Sequence, residues 1–419
     1  MFHECRVPSI AIDVIMKNKY LCLCGLAASM LLASCAGDDS VPSHGADTLN
    51  SDVPIQLNLS QQAPVSRAAL GNKNSLGQLD GTFDTDGGKL GIFCLATQKI
   101  FGTENISWHV GVDNPNYIWM ENVQADAKTT GDEGSRQTNI VWLSGEKCYY
   151  PMGSQYAYTF YGYYPYTSQI QHTGNQYAVK VTGLDGTVDL ISGQTRVDAD
   201  DEDAAYAYSA KYFRAKKEKD QAYDYSNYAC TMVFKHKLMR FNIILQKGTS
   251  STDEIKKIGI SKAEILNAAS DGKLIVASLD NANDNGCYIP DWSTITTLSL
   301  KDEGDADLQL KYLHDAERIT VGEGFMVPVV ARNSDGTYVD NGYTQGGMAN
   351  KGVYRLRVEF KNEDDPATVY RAAQYELVPP AEGWKEGYEY DVVITVSTPL
   401  EIVSKALLVP WEKGTLDLE

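Results

Sequence analysis

Cys35 is the residue of this chain best placed to do chemistry, because its thiol closes Leu32-Ala33-Ser34-Cys35 at the end of an apolar run. Lys17 and Lys19 supply a positive flank, and residues 21–32 form an apolar core. A core of that length is too short for a bilayer, which needs about 20 residues. The pattern predicts an export signal over residues 1–34, with Met16 as the true start because residues 1–15 carry no such pattern. Leu-Ala-Ser-Cys has the form of a bacterial lipobox, in which the cysteine is acylated and becomes the first mature residue. Arg67 is the second candidate. It is the first Lys or Arg after Cys35, and no other Arg lies between Cys35 and Arg136. Small neighbours in Ser66-Arg67-Ala68, with Pro64 nearby, predict an exposed loop tip that a protease can grip.

Elsewhere the chemistry is sparse. Cys94, Cys148, Cys230 and Cys287 show no CxxC or metal-ligand spacing. None or two disulfides are open, with buried thiols the simpler expectation. Histidines stand singly at 3, 44, 109, 172, 236 and 314, and there is no Walker loop, GxGxxG, HExxH or GxSxG. The stretch 281–286 reads as a polar turn, since as a calcium loop it would begin with Asn and carry Trp292 where a bidentate Glu is required. The acidic run 198–203 reads as a solvated loop without an ion. No metal, cofactor or enzymatic activity is expected. A carboxylate hydrolase is kept only as a third class, because 55 Asp and Glu offer many pairs that spacing cannot test.

The elements that must position these residues are mostly strands. Residues 54–60 alternate apolar and polar at period two, and a polar loop runs from 61 to 69. Residues 89–97, 140–142 and 177–181 read as further strands. Tyr354, Leu356, Val358 and Phe360 alternate with Arg355, Arg357 and Glu359, and Tyr390, Val392, Ile394 and Val396 repeat the pattern. Residues 204–223, rich in Ala, Lys and Glu, form the one plausible helix. No strand–helix alternation appears, so antiparallel sandwiches fit better than α/β units. Removing 1–34 takes a net single positive charge from a formal −18, leaving a body too acidic to attract nucleic acid. Its length predicts two domains, 68–200 and 201–419, behind a pro-segment at 35–67 whose start, 36–50, is a flexible tether. No later apolar run is long enough to span a bilayer, so attachment to the outer membrane is expected through the lipid on Cys35 alone.

With lipobox, N-terminal strand, loop arginine and Tyr-rich sheet in place, the chain resembles the fimbrillin family of Bacteroidales fimbrial lipoproteins. Residues 158–166 are similar to the family's aromatic strand ending in Tyr-Tyr-Pro. Asp189-Leu190-Ile191 resembles the step closing the first domain, and 234–241 the Phe-x-His-x-Leu strand opening the second. Residues 384–390, 392–396 and Val409-Pro410-Trp411 are similar to the C-terminal strands. The resemblance implies an all-β chain of two tandem transthyretin-like sandwiches, with other fimbrial subunits as partners and an arginine-specific protease that cuts after Arg67 and frees Ala68 as the new N-terminus. It further implies a place in a cell-surface fimbrium that supports adhesion to a surface ligand of unassigned chemistry. His236 and the aromatics are read as core packing.

A cut after Arg67 would remove lipid and first strand together, leaving an open sheet edge over an apolar groove that invites β-strand addition. Ile55, Leu57 and Leu59 are expected to fill that groove, contributing roughly 5–9 kcal/mol before ordering costs. While tethered, the strand competes at an effective concentration of about millimolar, so no outside strand wins. A donor is expected within 400–418, where Ile402, Val403, Leu407, Leu408 and Val409 are apolar. Shaft, tip and anchor positions all stay open. The competing reading is a surface glycan-binding lipoprotein whose exposed Trp and Tyr stack on sugars. N-terminal sequencing of surface-extracted protein is expected to give Ala68 as the first residue; Cys35 persisting there would refute processing.

Overall fold

Strands dominate because apolar residues recur at every second position, giving each strand one face to bury. The computed structural model describes residues 50–61, 88–99, 117–130, 137–143, 147–152, 155–173, 176–195, 208–222, 230–249, 252–278, 287–288, 295–302, 306–328, 353–378, 384, 386–398 and 401–410. The signal, Cys35, residues 36–49 of the expected tether, Arg67, Ala68, the acidic run 198–203 and the turn at 281–286 lie outside them, and Asn50 of that tether opens a strand.

In chain order come β1 (Asn50–Pro54), β2 (Leu57–Gln61), β3 (Lys89–Lys99), β4 (Ile118–Thr130), β5 (Gln137–Trp142) and β6 (Tyr149–Pro151). Next are β7 (Tyr156–Tyr164), β8 (Ile170–Thr173), β9 (Gln176–Thr182), β10 (Ile191–Thr195) and the helix α1 (Ala210–Lys219). The remainder comprises β11 (Cys230–His236), β12 (Met239–Lys247), α2 (Asp253–Lys256), β13 (Ile258–Ala269), β14 (Asp271–Ser278), β15 (Cys287–Tyr288) and β16 (Ile295–Ser299). It ends with β17 (Lys311–Tyr312), β18 (Arg318–Met326), β19 (Tyr354–Asn362), β20 (Arg371–Leu377), β21 (Tyr388–Thr398) and β22 (Glu401–Pro410).

The chain is all-β. In its first half, hydrogen bonding runs around a closed barrel in the order β10-β11-β2-β5-β4-β3-β7, with β7 returning to β10. The second half builds two sheets, β18-β12-β21-β22 and β16-β13-β19-β20 with β17 on β13. Their buried faces share one core, in which Phe241, Ile243, Leu356, Val358, Val392 and Ile394 are each fully buried. The alternation expected in β19 and β21 holds, with Tyr354, Leu356, Val358, Phe360, Tyr390, Val392, Ile394 and Val396 all inside.

Two features cross the expected boundary at 200/201. The strand β11 closes the barrel, and β9 of the first half pairs with β14 of the second, Lys180 opposite Lys273. That joint sheet covers the barrel's outer wall. On β3 and β7, Cys94 and Phe160 face the barrel core, whereas Phe93, Leu95, Tyr161 and Tyr163 join Tyr177, Val179, Leu274 and Val276 in a separate core. Both faces of these strands are therefore buried, which is why they read as near-continuous apolar runs.

The helix is shorter than expected. Ser209 caps it, its hydroxyl accepting from the Tyr212 N–H at 3.2 Å, so the ordered turn starts only at Ala210.

Arg240 is fully buried and bonds Glu389 directly across the parallel β12–β21 pair, with Glu323 3.5 Å from its other nitrogen. Desolvated charges are tolerated only while paired. Replacing Arg240 with Leu strands two buried carboxylates and is expected to cost about 3–5 kcal/mol in urea unfolding. An unchanged midpoint would show that the pair holds nothing together.

Candidate functional site

Within residues 50–61, β2 completes the ring of seven barrel strands, while β1 pairs with β6 in a separate two-stranded sheet. Val53, Ile55 and Leu57 alternate at period two and are 0–2% exposed, in one core with Trp142, Tyr150 and Met232. Two of the three expected groove-filling residues are thus buried at the site. Leu59 lies in β2, opposite Met232 on one neighbour and Thr138 on the other. The third buried anchor, Val53, was hidden because Pro54 follows it and masks the alternation that runs through both. The expected single strand over 54–60 is two, since the backbone changes partners at Ile55 and Gln56.

The change of partners is specific. In β1, Asn50 lies opposite Pro151 and Pro54 opposite Tyr149. The Ile55 N–H then donates to the Cys148 carbonyl at 2.7 Å, and the Gln56 carbonyl accepts from the Cys230 N–H at 2.9 Å. From Leu57 onward the strand runs parallel to β11, Leu57 opposite Cys230 through Gln61 opposite Phe234. Its other side meets β5 antiparallel, at Asn58–Asn139 and Leu59–Thr138. Trp142 donates its indole N–H to the Ile55 carbonyl at 3.4 Å.

This corrects the expected edge position. The strand occupies a slot between two neighbours, so its loss creates two unpaired rows rather than one. Sequence alternation reports which face is buried but is silent about what pairs on either side. The two sides differ in strength, because the ladder to β11 runs the length of β2 and the one to β5 does not.

A latch lies outside the slot. Arg214 on α1 donates through Nε at 3.1 Å and through a terminal nitrogen at 2.6 Å to Asp52. This bond is the main reason the Asp52 carboxyl sits below its ordinary value, so the latch persists above the usual carboxylate range and is lost as pH falls below it. Asp52 is largely exposed, so the latch is weak.

The candidate donor residues Ile402, Val403, Leu407, Leu408 and Val409 fall in β22. Its backbone pairs antiparallel with β21 from Tyr388–Pro410 to Thr398–Glu401, and it ends its sheet order with that single neighbour. Two stretches singled out by the resemblance also meet. Buried Asp189 bonds His236 Nδ1, and Ile191 lies opposite His236 in the barrel. Cys94, Cys148 and Cys230 are thiols. Among the described residues no group of His, Cys, Asp and Glu is arranged to hold a metal ion, and no helix is long and apolar enough to cross a membrane.

The family model for fimbrillin-like proteins matches residues 79–411. The chain belongs to the fimbrillin-like family. That family comprises structural and adhesive subunits rather than enzymes, and its setting is the cell surface. No curated protein matches the sequence. Among solved structures, the chain is similar to a Bacteroides uniformis protein described as a candidate for cell adhesion, at 15% identity and TM-score 0.45, covering 87% of this chain and 100% of that one. It is also similar to a Porphyromonas gingivalis tip fimbrial protein with a C-terminal truncation, at 8% identity and TM-score 0.38, covering 85% and 99%. A fimbrial anchor protein of Porphyromonas gingivalis matches at 10% identity and TM-score 0.29, covering 85% and 98%.

Burial rather than the latch is expected to hold the strand. Leu57→Ala should lower stability to urea by about 2–5 kcal/mol, and Asp52→Ala by less than about 1 kcal/mol. Equal costs would mean that the ion pair, not the slot, retains the segment.

Proposed function

We propose that this fimbrillin-like chain is a fimbrial subunit exported as a lipoprotein on Cys35, cut after Arg67 and joined to its neighbours by strand exchange in the barrel slot. One observation carries the reading. The segment whose Val53, Ile55 and Leu57 fill the barrel lies wholly on the N-terminal side of Arg67, so a single cut severs anchor and plug from the body together.

Tethering explains the order of events. Before the cut, the plug is intramolecular and outcompetes any free strand at an effective concentration of about millimolar. Afterwards the fragment 35–67 is a separate molecule, and dilution works against its return. Displacement has a natural starting point at the short pairing with β5, where an incoming strand gains hydrogen bonds before the resident one has lost those to β11.

The incoming strand must present apolar residues at period two. Leu407, Val409 and Trp411 repeat the spacing of Val53, Ile55 and Leu57, and Ile402 and Val403 lie in the same segment. That makes the C-terminal segment of a neighbouring copy, or of a related subunit, the donor of choice. Adhesion follows as a property of the assembled fibre. The described aromatics sit mainly in the cores, and Tyr370 is the one aromatic among the large exposed apolar side chains of the described residues, so no platform of several exposed rings among them supports a glycan-stacking reading.

Arg67→Ala is expected to keep the protein at full length, lipid-bound and monomeric on the cell surface. Normal fibres from that variant would sink the proposal.

A further inference from the structure

Two thiols, Cys94 and Cys230, lie in the core beside the slot and a third, Cys148, packs against it, in a surface-family protein whose setting does not keep accessible thiols reduced. Cys230 opens β11 directly opposite Leu57, and Cys148 stands across the plug, its carbonyl bonded to the Ile55 N–H. The Tyr150 hydroxyl is 3.4 Å from the Cys230 sulfur, and Cys94 and Cys230 are 0% and 4% exposed. Burial pushes the Cys230 thiol up to about 12. Burial likewise raises Cys94, helped by the charges that Cys230 and Cys148 would carry. Almost no thiolate, the reactive form, exists while the strand is seated.

We propose that Cys230 is a strand-gated modification site, shut while residues 50–61 fill the slot and open to thiol–disulfide exchange with low-molecular-mass disulfides once they leave. The inference rests on the strand-exchange reading above. In the exchange, the Cys230 thiolate attacks one sulfur of RSSR. A Cys230–SR bond forms as the RS–SR bond breaks, and the departing thiolate takes up the proton that Cys230 lost, so no further oxidant is needed. A packed core has no spare volume for such a group. Adduct and strand therefore exclude each other, and a subunit whose slot stays empty is withdrawn from assembly. Cys148, half-buried at the slot margin, is expected to follow Cys230.

Glutathione disulfide is the probe, applied to the full-length precursor before and after cutting with an arginine-specific protease, with adducts mapped by mass and release of the fragment measured alongside. A fall in the Cys230 pKa from about 12 to about 8.5 raises the thiolate fraction roughly three-thousandfold at neutral pH. The accompanying loss of intrinsic nucleophilicity still leaves at least about a tenfold gain in rate. That gain is the expected result once the fragment is gone. Added peptide of residues 50–61 should abolish it, and modified protein should bind no peptide. Equal rates with the fragment demonstrably released would overturn the gate and leave strand exchange standing. Should the cut chain keep its fragment, strand exchange is what fails, and the gate is then read in the uncut chain. There, Cys230 modification should track hydrogen exchange at the Ile55 and Leu57 amides. Modification that outruns this opening, or that appears only with global unfolding, overturns the proposal.

Discussion

A hydrogen-bonded ring of strands tolerates no gap, and in this chain the ring is completed by a strand that comes from ahead of the body. Between β11 and β5 the backbone groups of both neighbours need partners, and the core between Trp142, Tyr150 and Met232 needs three apolar side chains above it. An empty slot would expose unpaired groups at about 1–3 kcal/mol for each left unsatisfied, in addition to the lost burial. A vacant slot would therefore be short-lived. Under the proposed strand exchange, displacement, with one strand entering as another peels away, would avoid it. The proposed reactivity of Cys230 would then mark subunits in which displacement fails and the slot is left empty.

The chain links the slot to the C-terminal hairpin by a short path. The slot wall β11 continues through Lys237 and Leu238 into β12, which carries β21 in parallel and through it β22. At this joint the Lys237 N–H donates to the Leu190 carbonyl, the Gly387 N–H to the Leu238 carbonyl, and Lys237 Nζ lies 2.9 Å from Glu386. Buried Asp189 and His236 close the same corner. The motif positions that look aromatic or catalytic in isolation thus act as framework, tying the barrel strand β11 to the sheet that carries β22.

Much of this was legible in the residues. Strict alternation located β19 and β21, and the apolar character of 54–60 pointed to the segment that fills the barrel. Two things were not legible. Parallel pairing of β2 with β11 joins residues some 170 positions apart through backbone atoms, which carry no side-chain signature. Pro54 interrupts the alternation at the point where the backbone turns from one neighbour to another, so Val53 and the bonds at Cys148 and Cys230 lay beyond reach of a period-two reading. The helix was placed correctly but too long, because Ser209 supplies the cap from which it starts and composition alone does not reveal which serine will do so.

A residue-resolution structure of the assembled fibre tests the central claim most directly. The account predicts that the position between β11 and β5 holds a strand from another molecule, with apolar side chains at the places of Val53, Ile55 and Leu57. Finding the chain's own residues 50–61 still seated there in the fibre would contradict it.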